Sequence, residues 1–168
     1  PKIYESFMKT GMGQSFDVAT KTKSVLDENE NPLIYDENKS LYYQPIWKKD
    51  SLYILEFRLE NKDTTHKLLQ KIDFVIGSGH HTNSHLYSIN GYVHQIPYTF
   101  YTQQVKADLP PGFENGQNTR FNREIGLECM SCHNAYPDHA TGTINKYYSV
   151  PSGIDCERCH GPGEIHVN

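Results

Sequence analysis

Residues 52–59 read Leu-Tyr-Ile-Leu-Glu-Phe-Arg-Leu. Side chains that alternate at a period of two point to opposite faces of an extended chain, so this run predicts a strand with one buried face. Similar short segments surround it: Leu33 to Tyr35, Leu41 to Trp47, Lys67 to Ile76, Leu86 to Ile89 and Tyr92 to Tyr101. The reversals between them carry turn chemistry. Asn90-Gly91 is the pair favoured in two-residue hairpins, and Lys48 to Ser51 and Asn61 to Asp63 supply two more polar turns. The expectation is an antiparallel meander of five or six strands. Its aromatics, among them Tyr42, Tyr43, Trp47, Tyr53, Phe57, Tyr92, Tyr98 and Phe100, fit core and cross-strand pairs better than a platform for sugars or bases.

Outward from the meander the character changes on both sides. Residues 2–9 place Ile3, Phe7 and Met8 at helical spacing, with Gly11 as a stop. Residues 27–32 are polar and turn-rich, which reads as a solvated loop. After 106, Leu109-Pro110-Pro111-Gly112 and Asn115-Gly116 read as loop, and no periodicity is sustained from Thr119 to Asn168. The expected organisation is therefore 1–28, helix and loop; 29–106, antiparallel and β-rich; and 107–168, a segment needing a bound group to complete its core. As a class this is α+β: a β meander followed by a loop-rich segment with short helices.

The chain has 168 residues and 20 aromatics (12 Tyr, 7 Phe, 1 Trp), enough apolar bulk to argue against disorder. Sixteen Lys and Arg against 20 Asp and Glu leave a net charge of -4, without the basic stripe that nucleic acid requires. No run approaches the ~20 apolar residues of a membrane span.

All four cysteines fall in two identical frames, Cys129-Met130-Ser131-Cys132-His133 and Cys156-Glu157-Arg158-Cys159-His160. This is the attachment frame of haem c. Two thiols spaced by two residues can bond the two vinyl-derived carbons on one porphyrin edge, and the next imidazole can reach the iron. A disulfide framework does not need a His after each pair, and a thioredoxin-like pair wants one motif near a βαβ pattern. Two zinc knuckles at this separation are the remaining competitor. Two repeats with no other cysteine favour two haems, with His133 and His160 as proximal ligands, which makes the loop-rich residues 107–168 a c-type dihaem segment.

Distal ligands must come from the other histidines: His66, His80, His81, His85, His94, His139 and His166. The tract Gly77-Ser78-Gly79-His80-His81-Thr82-Asn83-Ser84-His85 singles out His80, His81 and His85, since glycines let backbone approach a flat group closely. His166 follows Gly161-Pro162-Gly163, a turn that directs it away from its own haem. Met12 is a weaker thioether candidate between Gly11 and Gly13.

Four blocks in this order, Ile76 to His81, Leu109 to Gly112, Glu128 to Tyr136 and Gly153 to Val167, resemble bacterial multihaem c-type cytochromes related to the tetrahaem cytochromes of ammonia oxidation. The resemblance implies a further haem motif directly before Pro1, and so a parent chain longer at its N-terminus. It implies His81 rather than His80 as a distal ligand, and His166 as a ligand to an adjacent haem. It also implies haem attachment after export, hence a periplasmic or cell-surface location.

The leading expectation is electron transfer through covalently held haems, toward redox partner proteins or other haem domains. A haem enzyme acting on nitrite or hydroxylamine is the alternative, although neither an altered attachment motif nor a specially placed Tyr is visible. A third reading makes the β-rich middle an assembly module, pairing copies of the chain into an oligomer or filament.

Overall fold

The computed structural model describes residues 2–27 and 32–163. A short helix α1 (Lys2–Phe7) leads into β1 (Phe16–Val18), β2 (Ile34–Asp36), β3 (Leu41–Lys48), β4 (Ser51–Glu60), β5 (Asp63–Lys71), β6 (Phe74–Ile76), β7 (Thr82–Ile89) and β8 (Tyr92–Tyr101). β9 (Lys106–Asp108), β10 (Arg123–Glu124), α2 (Leu127–His133), β11 (Asp138–His139), β12 (Tyr147–Ser149) and α3 (Glu157–His160) complete the described chain. Every strand pairing is antiparallel.

The strands form two main sheets rather than one meander. One has the order β2-β3-β4-β5; the other runs β1-β6-β7-β8-β10, with β9 also on β8. The division falls inside Lys67 to Ile76, expected as one strand. Ile72 donates its N–H to Leu52 O in the first sheet, and Asp73 donates to Leu86 O in the second. The chain changes sheets at this step, with Ile72 buried in the core.

The α+β expectation is overturned. Strands take 41% of the described residues and helices 13%, so the fold is mainly β. Among the described residues no loop-rich dihaem segment stands apart after 106. β9, β10 and the β11-β12 pair lie there, and β1 recruits the N-terminal stretch into the second sheet. Strands of two or three residues show no local alternation, because they exist only by pairing with a longer neighbour.

Local turn chemistry holds. Asn90 and Gly91 have φ of 52° and 86°, and Asn61 and Lys62 have 52° and 74°. Two successive left-handed residues are what a tight hairpin between right-twisted strands requires.

Three layers result. Between the sheets lie Ile34, Leu41, Tyr43, Leu52, Ile54, Val75, Ile96, Tyr98 and Phe121. The far face of the second sheet carries a separate cluster: Phe16, Leu86, Val93, Ile125, Met130 and Tyr147. Half of those six come from after residue 106, so the C-terminal stretch supplies its own apolar contacts to the sheet. The aromatics split by face. Tyr43 and Tyr98 are core, whereas Tyr35, Tyr42 and Phe57 stack across β2-β3-β4 on the outer face, at centroid distances of 4.5 and 5.0 Å.

Candidate functional site

The first cysteine frame is a helix laid on that far face. Gly126 opens α2, and Met130 inside the frame is completely buried in the apolar cluster. The segment ahead of it is pinned by Ile125 N–H to Val93 O at 3.1 Å and by Tyr147 OH to Ile125 O at 2.9 Å. The end is pinned as well. Ser15 Oγ donates to His133 O at 2.8 Å, Asn134 N–H to Met130 O at 2.8 Å, and Asn134 Nδ2 to Pro151 O. With Met130 turned to the sheet, Cys129 and Cys132, three apart, share one side of the helix.

That side opens on a cavity of about 410 Å³. Glu128, Cys129, Cys132 and His133 line it from α2; Ile76, Thr82, Ser84, Leu86, Gln95 and Thr99 line it from β6, β7 and β8; Gly77, Pro111 and Ile125 complete the lining. The wall facing the thiols is therefore sheet, part apolar and part hydroxyl. Cys132 and His133 also line a second cavity of about 250 Å³, shared with Met12, Ser15, His81 and Ile154. Burial lowers the proton affinity of His133 and keeps its imidazole neutral, the form that ligates metal. Burial, then the Glu128 charge, pushes the Cys129 thiol up.

The second frame sits on α3, a single turn with Cys156 just ahead of it. Cys156, Glu157, His160, Gly161 and Gly163 line an open cavity of about 260 Å³. Arg158 ties this turn to the first frame: its Nε and Nη2 donate to Ser131 O at 3.2 and 2.9 Å, and its guanidinium lies 5.0 Å from the Tyr136 ring centre. The approach to α3 rests on the N-terminal segment. Gly153 N–H donates to Phe16 O and Ile154 N–H to Met12 O, and a Cβ on Gly153 would stand 2.1 Å from Gly13 O.

The glycine-rich histidine tract is distributed. His80 and His81 are exposed on the turn before β7, and of the two only His81 lines a cavity with His133. The tract's glycines are close to protein on one side, where a Cβ on Gly77 would meet Thr82 O at 2.5 Å and one on Gly79 would meet Val25 Cγ1 at 2.5 Å, and Gly77 also lines both cavities at the first frame. His85 lies on the opposite face of β7, fully buried between the sheets, its Nδ1 3.1 Å from Tyr98 O. His94 stacks on Tyr87, and His139 meets Tyr147 edge-on. His166 lies outside the described residues, as do residues 28–31 of the expected polar loop.

The residues around the first frame suit a haem. Two free thiols and an imidazole face one cavity with Ile76, Leu86 and Ile125 in its walls, the donor set and the apolar surround that thioether attachment uses. The second frame has the same donors, also as free thiols. Among the described residues no three His, Cys, Asp or Glu side chains converge as a ligand set, so the four thiols do not gather into one zinc knuckle. Sequence reading missed the supports: Ser15, Met130, Asn134, Arg158 and the β7 and β8 hydroxyls. Only Met130, apolar between two cysteines, left a signal.

Residues 94–161 match the family model described as cytochrome c554 and c-prime, a stretch that runs from β8 through α3 and includes both cysteine frames. The match supports a c-type cytochrome family, with haem c as the cofactor and electron transfer as its use. Comparison with curated proteins and with solved structures gives no match.

Proposed function

We propose that the chain is an electron-transfer module of a multihaem cytochrome, holding two haems c through Cys129 and Cys132 and through Cys156 and Cys159. The observation that carries this reading is the common cavity of Cys129, Cys132 and His133 against the face of the second sheet. A bound haem supplies reversible one-electron chemistry at iron. The polypeptide's part is placement. Met130 and Ile125 fix α2 on the sheet, Ser15 holds the carbonyl of His133, and burial keeps that imidazole neutral. His133 and His160 serve as the proximal ligands. His81, which shares a cavity with His133, is the favoured distal ligand, ahead of His80, and His166 serves a neighbouring haem.

The family match supports export and a periplasmic or cell-surface setting, and no described helix is long and apolar enough to cross a membrane. The partner is another haem domain or redox protein. A second copy of the chain is the other reading, favoured by the nine-residue strand β5, whose outer edge pairs with no strand among the described residues. Size exclusion over a range of concentrations separates these: a strict monomer removes the second copy.

Intact mass with an alkaline pyridine spectrum tests the main reading. Two added haem masses and a c-type α band are expected. A colourless protein, or one whose thiols hold zinc or each other, overturns it.

A further inference from the structure

A cavity of about 540 Å³, sharing no residue with those around the cysteine frames, opens at the edge of the first sheet. Lys39, Arg58, His66 and Arg120 line it together with Asn38 and Thr65, and no carboxylate does. We propose that it binds a multiply charged oxyanion, an organic phosphate or polycarboxylate.

The charge arithmetic around the cavity favours this. Glu56, fully buried beneath it, is engaged by Arg120 Nε at 3.0 Å, by Arg120 Nη2, and by His66 Nε2 at 2.7 Å. That carboxylate offsets Arg120. The other buried acid nearby, Asp36, is turned to Asn118 Nδ2 and to the N–H groups of Asn38 and Lys39. Arg58 donates only to main-chain oxygens, Ser40 O at 3.4 Å and Lys39 O at 3.0 Å. These neutral acceptors hold its guanidinium in place without an ion-pair partner. Lys39 has no ion pair among the described residues. Two cations without an ion-pair partner among the described residues thus face one half-open cavity, and a concave wall concentrates their field on an incoming anion.

The backbone gives an independent sign. Arg120 has φ of +59°, in the left-handed region that costs a non-glycine residue on the order of 1 kcal/mol. It is held there with its side chain fixed on Glu56 and its N–H on Asn118 Oδ1 at 2.7 Å. A strained cation fixed before ligand arrives is a common arrangement at binding sites. The volume lies in the range of small-molecule pockets and exceeds what a bare ion fills, and Asn38 and Thr65 add neutral hydrogen-bonding groups.

Citrate and inorganic pyrophosphate are the probes, titrated calorimetrically into the protein as purified, with sodium chloride at matched ionic strength as the control. Either probe should bind with a stoichiometry of one, and chloride should not reproduce the heat. Lys39→Gln, which removes no hydrogen bond described for that side chain, should weaken binding at least fivefold with an unchanged melting temperature. Arg58→Gln should weaken it at least as much. No heat beyond the chloride control, or unmodified affinity in either variant, overturns the proposal. Neither result depends on what the cysteines carry.

Discussion

Arg158 sits between the two thiols of its own frame, yet its side-chain hydrogen bonds go to the other frame, from Nε and Nη2 to Ser131 O, while its guanidinium lies over the ring of Tyr136. A planar guanidinium can bond and stack at once, which an ammonium cannot. Arg158→Lys should therefore act like Arg158→Gln: full haem content by mass, little change in melting temperature because the contact is exposed, and altered spacing between the two midpoint potentials in a redox titration. Unchanged potentials in both variants would show that this bridge does not set the relation between the frames. His85 makes the opposite case. Burial holds its pKa down to about 4, its Nδ1–H donates to Tyr98 O, and its Nε2 has no partner among the described groups. It is a neutral side chain packed between two sheets, so His85→Ala should cost about 2–4 kcal/mol by the lost volume and hydrogen bond. Denaturant melts check that, while the visible spectrum should keep its ligation pattern. A shift from six- to five-coordinate iron would instead make His85 a ligand.

At the scale of elements, β4 shows where sequence is legible and where it stops. Alternation over 52–59 identifies the strand and its ends to within a residue, because period-two patterning and the Asn-Gly and Asn-Lys turns are local properties. Which face is buried is not local. Leu52, Ile54 and Glu56 face the core, while Tyr53, Leu55 and Phe57, the uniformly apolar set, are partly exposed on the outer face. Glu56 is admitted because Arg120, 64 positions away, and His66 on β5 satisfy it. The candidate site divides in the same way. Cys-x-x-Cys-His is legible since adjacent residues carry the chemistry, but Ser15 reaches His133 from 118 positions away, and no local pattern announces that. Glu56 also yields a pH prediction. Burial pushes its carboxyl up, but the hydrogen bonds from Arg120 and His66, with the Arg120 charge and the Tyr43 hydroxyl, outweigh this and hold it below the ordinary 4.5. A carboxyl that binds its proton less readily folded than unfolded stabilises the fold above about 4.5, and that contribution is lost as pH falls through the depressed folded value. Melting temperature should therefore drop on acidification below about pH 4.5. Glu56→Gln should flatten that drop and lower stability at pH 7 by about 1–3 kcal/mol, the buried-pair penalty reduced because Arg120 and His66 are partly exposed. An unchanged acid limb in the variant would assign it to other carboxylates.

The whole molecule bears on how protein and pigment depend on each other. The composition after residue 106 suggests a segment that cannot fold without bound groups, but the layers show another source of core. Phe113, Phe121, Ile125, Met130, Ala135, Ala140 and Tyr147 are all buried, and Phe121 and Met130 enter the two clusters on opposite faces of the second sheet. The C-terminal stretch thus borrows its apolar partners from strands laid down earlier in the chain, and its first cysteine frame rides on a surface that is already packed. α2 is held chiefly by Met130, Tyr147 and Asn134, with the Cys129 side chain also packed on the apolar cluster. α3 has no buried residue of its own and hangs on Arg158, on the Tyr136 hydroxyl bonded to Glu157 O, and on the Gly153 and Ile154 N–H groups ahead of it, bonded to Phe16 O and Met12 O. A variant with all four cysteines replaced by serine should accordingly keep a β-type far-ultraviolet spectrum and a cooperative melt. Its hydrogen exchange should be fast around α3, slower in α2 and slowest in β4 and β8, since protection follows burial and contact density. Loss of the cooperative transition would mean that the sheets need their pigments to close. Retention, with α3 alone unprotected, would mean that the sheets form a scaffold first and that attachment at the second frame fixes the last turn in place.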